Sequence, residues 1–222
     1  MRGLFTYIEG GVLAGALMLV LYATAAGAVT GGRARAGLVA GATALAWFVL
    51  LWEAARLGVF EGGSTGWRLA IAVAAVLPVV IGGARAPWLA RHLVSAGAPP
   101  ASLVTIQVCR MVSAALLIAL AGEALPAWVA VPAGAGDLVI AGFTPMVARM
   151  VARGDPRASG VVAAWAVAGI AVSAYLVSAV VLGGRTATYF LTLYPLVLIP
   201  VFITPVVVML QIVATKVVPT RP

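Results

Sequence analysis

The chain has 222 residues, of which 64% are hydrophobic and only 9% charged, with a formal net charge of +8 and a mean hydropathy of +1.14. A water-soluble domain of this length needs far more charge to cover its surface, so the composition points to an apolar solvent and a polytopic membrane protein. The positive charge does not indicate nucleic acid: the basic residues stand singly or in small groups between apolar runs, without aromatic interleaving or a basic helix face.

Apolar runs predict an all-α bundle of seven spans in one transmembrane domain over residues 1–222, at about 5–29, 37–59, 66–83, 101–122, 128–150, 159–183 and 188–215. The first run follows Met1-Arg2, is long enough to span and is interrupted early by Glu9, so it reads as a retained helix rather than a cleaved leader. Between the third and fourth runs, Ala84–Pro100 reads as the longest connection, with Trp88, Arg91 and His92 on a loop or an interfacial helix. The fifth run opens with Leu125-Pro126 and Val131-Pro132-Ala133-Gly134-Ala135-Gly136, the composition of a broken or re-entrant helix. The last run carries Pro195, Pro200 and Pro205, each of which removes an amide donor and favours a kink.

Orientation follows from the basic residues. Arg33, Arg35, Arg85, Arg91, Arg149, Arg153, Arg157, Lys216 and Arg221 fall on one side, against Arg2, Arg56, Arg68 and Arg185 on the other. The positive-inside rule then places the N-terminus outside and the C-terminus in the cytoplasm.

Ionisable groups within a span are costly and mark candidate sites. Arg110 and Asp137 each lie nine residues into consecutive antiparallel spans, about 14 Å deep in a core of about 30 Å. Neither charge is tolerable alone at that depth, so the two are expected to form a salt bridge or share a water-filled site. Gln107, one turn from Arg110, shares its face. Glu9, Glu53 and Glu123 lie nearer the outer surface and could line an acidic vestibule leading to Arg110; Glu9 and Glu53 also fit the simpler role of solvated interface carboxylates. Trp47, Trp52, Trp128, Trp165, Tyr189 and Tyr194 read as packing and interface anchors, and Cys109 as a buried small residue.

No catalytic set can be assembled. A single cysteine and a single histidine exclude an intrachain disulfide, a thiolate cage and bis-histidine haem, so neither metal nor cofactor is expected. The lone lysine, Lys216, lies at a helix end, where it cannot serve a retinal Schiff base. Gly134-Ala135-Gly136-Asp137 resembles the GxGD signature of intramembrane aspartyl proteases, but that chemistry needs two aspartates sharing a proton. Asp155, the other aspartate, falls in a loop at the far end of the span.

A broader resemblance rests on Gln107-x-x-Arg110, Leu125-Pro126, Pro132-Ala133-Gly134-x-Gly136-Asp137 and Tyr194-Pro195-Leu196-Val197-Leu198-Ile199-Pro200. These look like an uncharacterised family of small bacterial seven-helix membrane proteins, which implies a bacterial inner-membrane setting and treats Gln107, Arg110 and Asp137 as one unit. Where that pattern carries a histidine six residues after the final proline, this chain has Gln211. Two functions follow as expectations: binding or transport of a small molecule or ion, Arg110 taking an anionic group and Asp137 a proton, or a structural subunit within a larger membrane complex or homo-oligomer. An intramembrane enzyme is the weakest reading, because no nucleophile–base pair is present.

Overall fold

A computed structural model describes residues 2–31, 34–61, 66–95, 99–183 and 189–218. Among these the chain is all-α, with seven helices: α1 (Arg2–Gly31), α2 (Ala34–Arg56), α3 (Trp67–Ser95), α4 (Pro100–Ala121), α5 (Ala127–Ala152), α6 (Ala158–Leu182) and α7 (Ile199–Val217). By length and composition, α3 to α7 are each apolar enough to cross a membrane, and α1 contains a shorter apolar stretch, Ile8–Tyr22. Large apolar side chains stand exposed along the outer faces, among them Leu50 on α2, Leu69 and Val80 on α3, Phe143 on α5 and Val167 on α6. Such a surface is untenable in water and suits lipid.

The helix with the largest buried share is α7, flanked by α3, α4 and α6; α5 packs against α4 and α6, and α1 pairs with α2 and leans on α4. Side chains such as Leu196, Val197, Leu198, Ile199, Val201 and Phe202 are therefore fully enclosed, and Phe202 meets the ring of Phe48 edge-on at 5.0 Å.

Three sequence expectations need correction. Most of the expected Ala84–Pro100 connection belongs to α3 itself, which runs unbroken through His92 to Ser95 with Pro78 and Pro87 inside it; residues 96–98 lie outside the described residues. Gly82, inside the predicted third span, faces α7: a Cβ there would lie 2.3 Å from Met209 Cγ. It is a glycine of close helix approach. The start of α5 is neither re-entrant nor broken. It is helical throughout, with a π-helical turn over Val131–Ala135 absorbing Pro132. The last helix begins later than expected. Tyr189–Thr192 forms an isolated 3₁₀ turn, and regular helix starts with a π turn at Ile199–Ile203, because Pro195 and Pro200 cannot donate to the preceding turns.

Three helix ends close with the same motif. After α2 and α5 the residue in left-handed conformation is a glycine, Gly58 (φ 74°) and Gly154 (φ 65°). After α4 that position is Glu123 (φ 57°), with Ala124 N–H donating to Ala119 C=O at 2.8 Å and Glu123 N–H to Leu120 C=O at 2.9 Å. A side chain there costs about 1 kcal/mol relative to glycine. Glu123→Gly is expected to raise stability in detergent by up to that amount, measured as the midpoint of denaturant unfolding; a clear loss would show that the carboxylate itself has a partner.

Candidate functional site

The polar centre begins with a local departure from α geometry. Residues Ile106–Ser113 of α4 form a 3₁₀ helix, a long run for that conformation. With three residues per turn, side chains at spacings of three eclipse one another, so Gln107, Arg110 and Ser113 stand in one column. All three are buried, at 0%, 1% and 1% exposure.

Asp137 reaches that column from α5 by a complementary irregularity. The π turn at Val131–Ala135 adds one residue to the helix, which rotates everything beyond it by about 100°. The two glycines of the GxGD sequence then have separate packing tasks. A Cβ on Gly134 would lie 3.0 Å from Leu117 Cγ and 3.1 Å from the Ser113 carbonyl oxygen, both on α4. One on Gly136 would lie 2.8 Å from Val172 Cγ2 on α6. Gly134 thus admits α4, Gly136 admits α6, and Asp137 meets Arg110 between them. The motif is a packing device here.

Arg110 Nη1 donates to Asp137 Oδ1 in a salt bridge whose side chains are 0% and 8% exposed. Its other hydrogen bonds run from Nε to Gln107 Oε1 at 3.1 Å, from Nη1 to Ser173 Oγ at 3.2 Å and from Nη2 to Gln211 Oε1 at 2.8 Å. Ser113 Oγ donates to Asp137 Oδ2 at 2.6 Å, and Gln107 Nε2 to the Val207 carbonyl of α7 at 3.0 Å. One guanidinium therefore ties α4, α5, α6 and α7 together. The expected contact between Arg110 and Asp137 is present, with Gln107 beside it.

Three members of the centre were not singled out from sequence as site residues: Ser113, Ser173 and Gln211. Ser173 sits in an apolar helix with no local cue. Gln211 is visible only as the place where the resemblance carries histidine, and it occupies a pivotal position: fully buried, with Oε1 on Arg110 and Nε2 lacking any acceptor. Its amide lies against Gly169 of α6, where any side chain would collide with it.

Glu9, Glu53 and Glu123 are not brought to Arg110. Tyr194 Oη donates to Glu9 Oε1, tying α1 to the segment before α7. Glu53 pairs with Arg56 at 3.4 Å on the surface, and Glu123 is exposed in its turn. Cys109 is buried and free, and Trp165 Nε1 donates to the Ile140 carbonyl across α5 and α6 at 3.3 Å. Among the described residues there is no group of three or more His, Cys, Asp or Glu placed to hold a metal ion.

The energetics predict strong coupling. Removing one partner of a buried pair costs about 3–5 kcal/mol, because the other charge is stranded, whereas removing both costs less than the sum. Arg110→Met and Asp137→Leu should each destabilise the protein strongly in mixed-micelle unfolding, and the double variant should recover at least about 1 kcal/mol of the combined loss. Additive losses would mean that the pair does not interact.

Neither a curated protein nor a solved structure matches the chain. One family does, over residues 67–218, which comprises α3 to α7 and every residue of the Arg110 centre. The chain belongs to the family described as Domain of unknown function (DUF8737).

Proposed function

We propose that the chain is a seven-pass protein of a bacterial inner membrane, N-terminus outside and C-terminus cytoplasmic, that binds or transports a small molecule or ion at the Arg110–Asp137 centre. The asymmetry of Lys and Arg between the two sides supports the orientation. The observation that carries the ligand reading is the unused donor at its heart. Gln211 Nε2 is buried without an acceptor beside a guanidinium whose charge is already matched by Asp137. A buried amide N–H left unpaired costs about 1–3 kcal/mol, a cost that a bound acceptor removes. Because Arg110 and Asp137 neutralise each other, an anion enters without a net charge penalty only together with a proton, which Asp137 is placed to take. Uptake of an acid and its proton as one event is the chemistry this centre allows.

A second reading has its own support. Arg110 joins four helices, so the centre also serves as a clamp in a subunit of a larger membrane complex or homo-oligomer. Native mass spectrometry of the detergent-extracted chain separates the two. The ligand reading predicts a small molecule retained by the wild type and by the peripheral variant Glu53→Gln but lost from a folded Asp137→Asn variant. Identical spectra for all three, with a protein partner retained, would favour the clamp and remove the ligand.

A further inference from the structure

A cavity of about 220 Å³ lies at the C-terminal end of α5, lined by Met146, Arg149, Met150, Arg153 and Asp155. Arg149 and Arg153 stand one helical turn apart, and both are exposed. Arg149 Nε donates to the Pro145 carbonyl at 3.2 Å, which holds the guanidinium against the last turns of the helix. The chain then closes on Gly154 in left-handed conformation (φ 65°), and Asp155 N–H donates back to the Met150 carbonyl at 3.1 Å. That turn folds Asp155 onto the cavity, where Oδ1 accepts from the Arg157 N–H at 2.8 Å.

Two guanidiniums and one carboxylate thus share a cavity, yet among the described residues neither arginine is ion-paired with Asp155. One positive charge is left unmatched, and the Nη groups of both arginines and Asp155 Oδ2 have no partner among the described residues. Such a cavity suits an anion that also carries a hydrogen-bond donor. The face of α5 leading to it is apolar. Val139, Phe143 and Met146 follow one another at helical spacing and stand exposed. Gly142 falls between them, and a Cβ there would meet nothing within 4 Å. From Val139 to Arg149 this stripe runs about 15 Å at 1.5 Å per residue, which is one leaflet of a hydrocarbon core of about 30 Å.

From this complementarity we infer that the end of α5 binds a phospholipid of the surrounding leaflet, a monoanionic phosphodiester whose headgroup carries hydroxyls. Arg149 and Arg153 donate to its phosphate oxygens, a headgroup hydroxyl donates to Asp155 Oδ2, and an acyl chain lies along Val139, Phe143 and Met146. A dianionic phosphomonoester is disfavoured, because its second charge exceeds the one unmatched cation and repels Asp155. A zwitterionic choline lipid cancels its own charge and has no N–H or O–H for the carboxylate. The site lies about 18 Å along α5 from Asp137, at 1.5 Å per residue, and depends neither on the Arg110 centre nor on its ligand.

Native mass spectrometry of the delipidated full chain, titrated with phosphatidylglycerol, phosphatidylcholine and phosphatidylmethanol of identical chains, tests this. Phosphatidylglycerol should bind at least about tenfold more tightly than phosphatidylcholine. It should also bind about threefold more tightly than phosphatidylmethanol, a phosphodiester without headgroup hydroxyls. Arg149→Gln with Arg153→Gln should weaken phosphatidylglycerol binding at least about tenfold. The control pair Arg85→Gln with Arg91→Gln removes two exposed arginines of α3 and should weaken it less than about twofold. Asp155→Asn should erase the preference over phosphatidylmethanol and keep that over phosphatidylcholine. Glycerophosphoglycerol, the headgroup without acyl chains, should fail to displace the lipid at equal concentration. Equal binding of phosphatidylglycerol and phosphatidylcholine, or equal losses in the two arginine variants, overturns the inference. A phosphatidylmethanol discrimination unchanged in Asp155→Asn overturns the headgroup class, and displacement by glycerophosphoglycerol overturns a lipid as the occupant.

Discussion

A fully buried guanidinium can exist only if its charge is matched and its N–H groups find acceptors, since an apolar interior supplies neither. Arg110 meets that demand with one carboxylate, two amide oxygens and one hydroxyl drawn from four helices. The backbone around it is irregular for the same reason. A 3₁₀ run stacks Gln107, Arg110 and Ser113, one π turn rotates Asp137 into place, and a second precedes the segment bearing Gln211. Regular α-helices would present these side chains at other angles. The irregularity is the cost of assembling the centre, offset by the packing of fully enclosed residues such as Ile199, Val201 and Phe202 on α7.

The centre also accounts for the small residues near it. Gly134, Gly136 and Gly169 each sit where a side chain would strike a neighbouring helix, and the neighbours in question are α4, α6 and the Gln211 amide. Close approach shortens the reach between charged groups, so glycine here is an electrostatic device as much as a packing one. All of these positions fall within the 67–218 family match, while α1 and α2 lie before it. The five-helix unit α3 to α7 contains the complete polar network.

Much of this was legible from residue types and depth alone. Arg110 and Asp137 are rare intramembrane charges on consecutive helices, and counting residues from each span's start places them level. Gln107 followed from helical spacing. Ser173 was not legible, because a lone serine in an apolar helix carries no sign of its partner. Gln211 was visible only as a substitution for histidine, and its contact with Arg110 depends on a helix about a hundred residues away. Pro87 misled in the other direction: placed in the connection after the third span, it lies inside α3. The acidic residues misled through depth without direction, since Glu53 pairs with Arg56 at the surface and Glu123 stands exposed in its turn.

The most direct measurement is a solid-state NMR distance in lipid bilayers between arginine ¹⁵Nη and aspartate ¹³Cγ. With Asp155→Asn, Asp137 becomes the only aspartate in the chain, so any arginine–aspartate contact observed is made by Asp137. A strong dipolar contact, consistent with a direct salt bridge of under about 4 Å, is the predicted result. The absence of any arginine–aspartate contact in the folded protein would contradict the account.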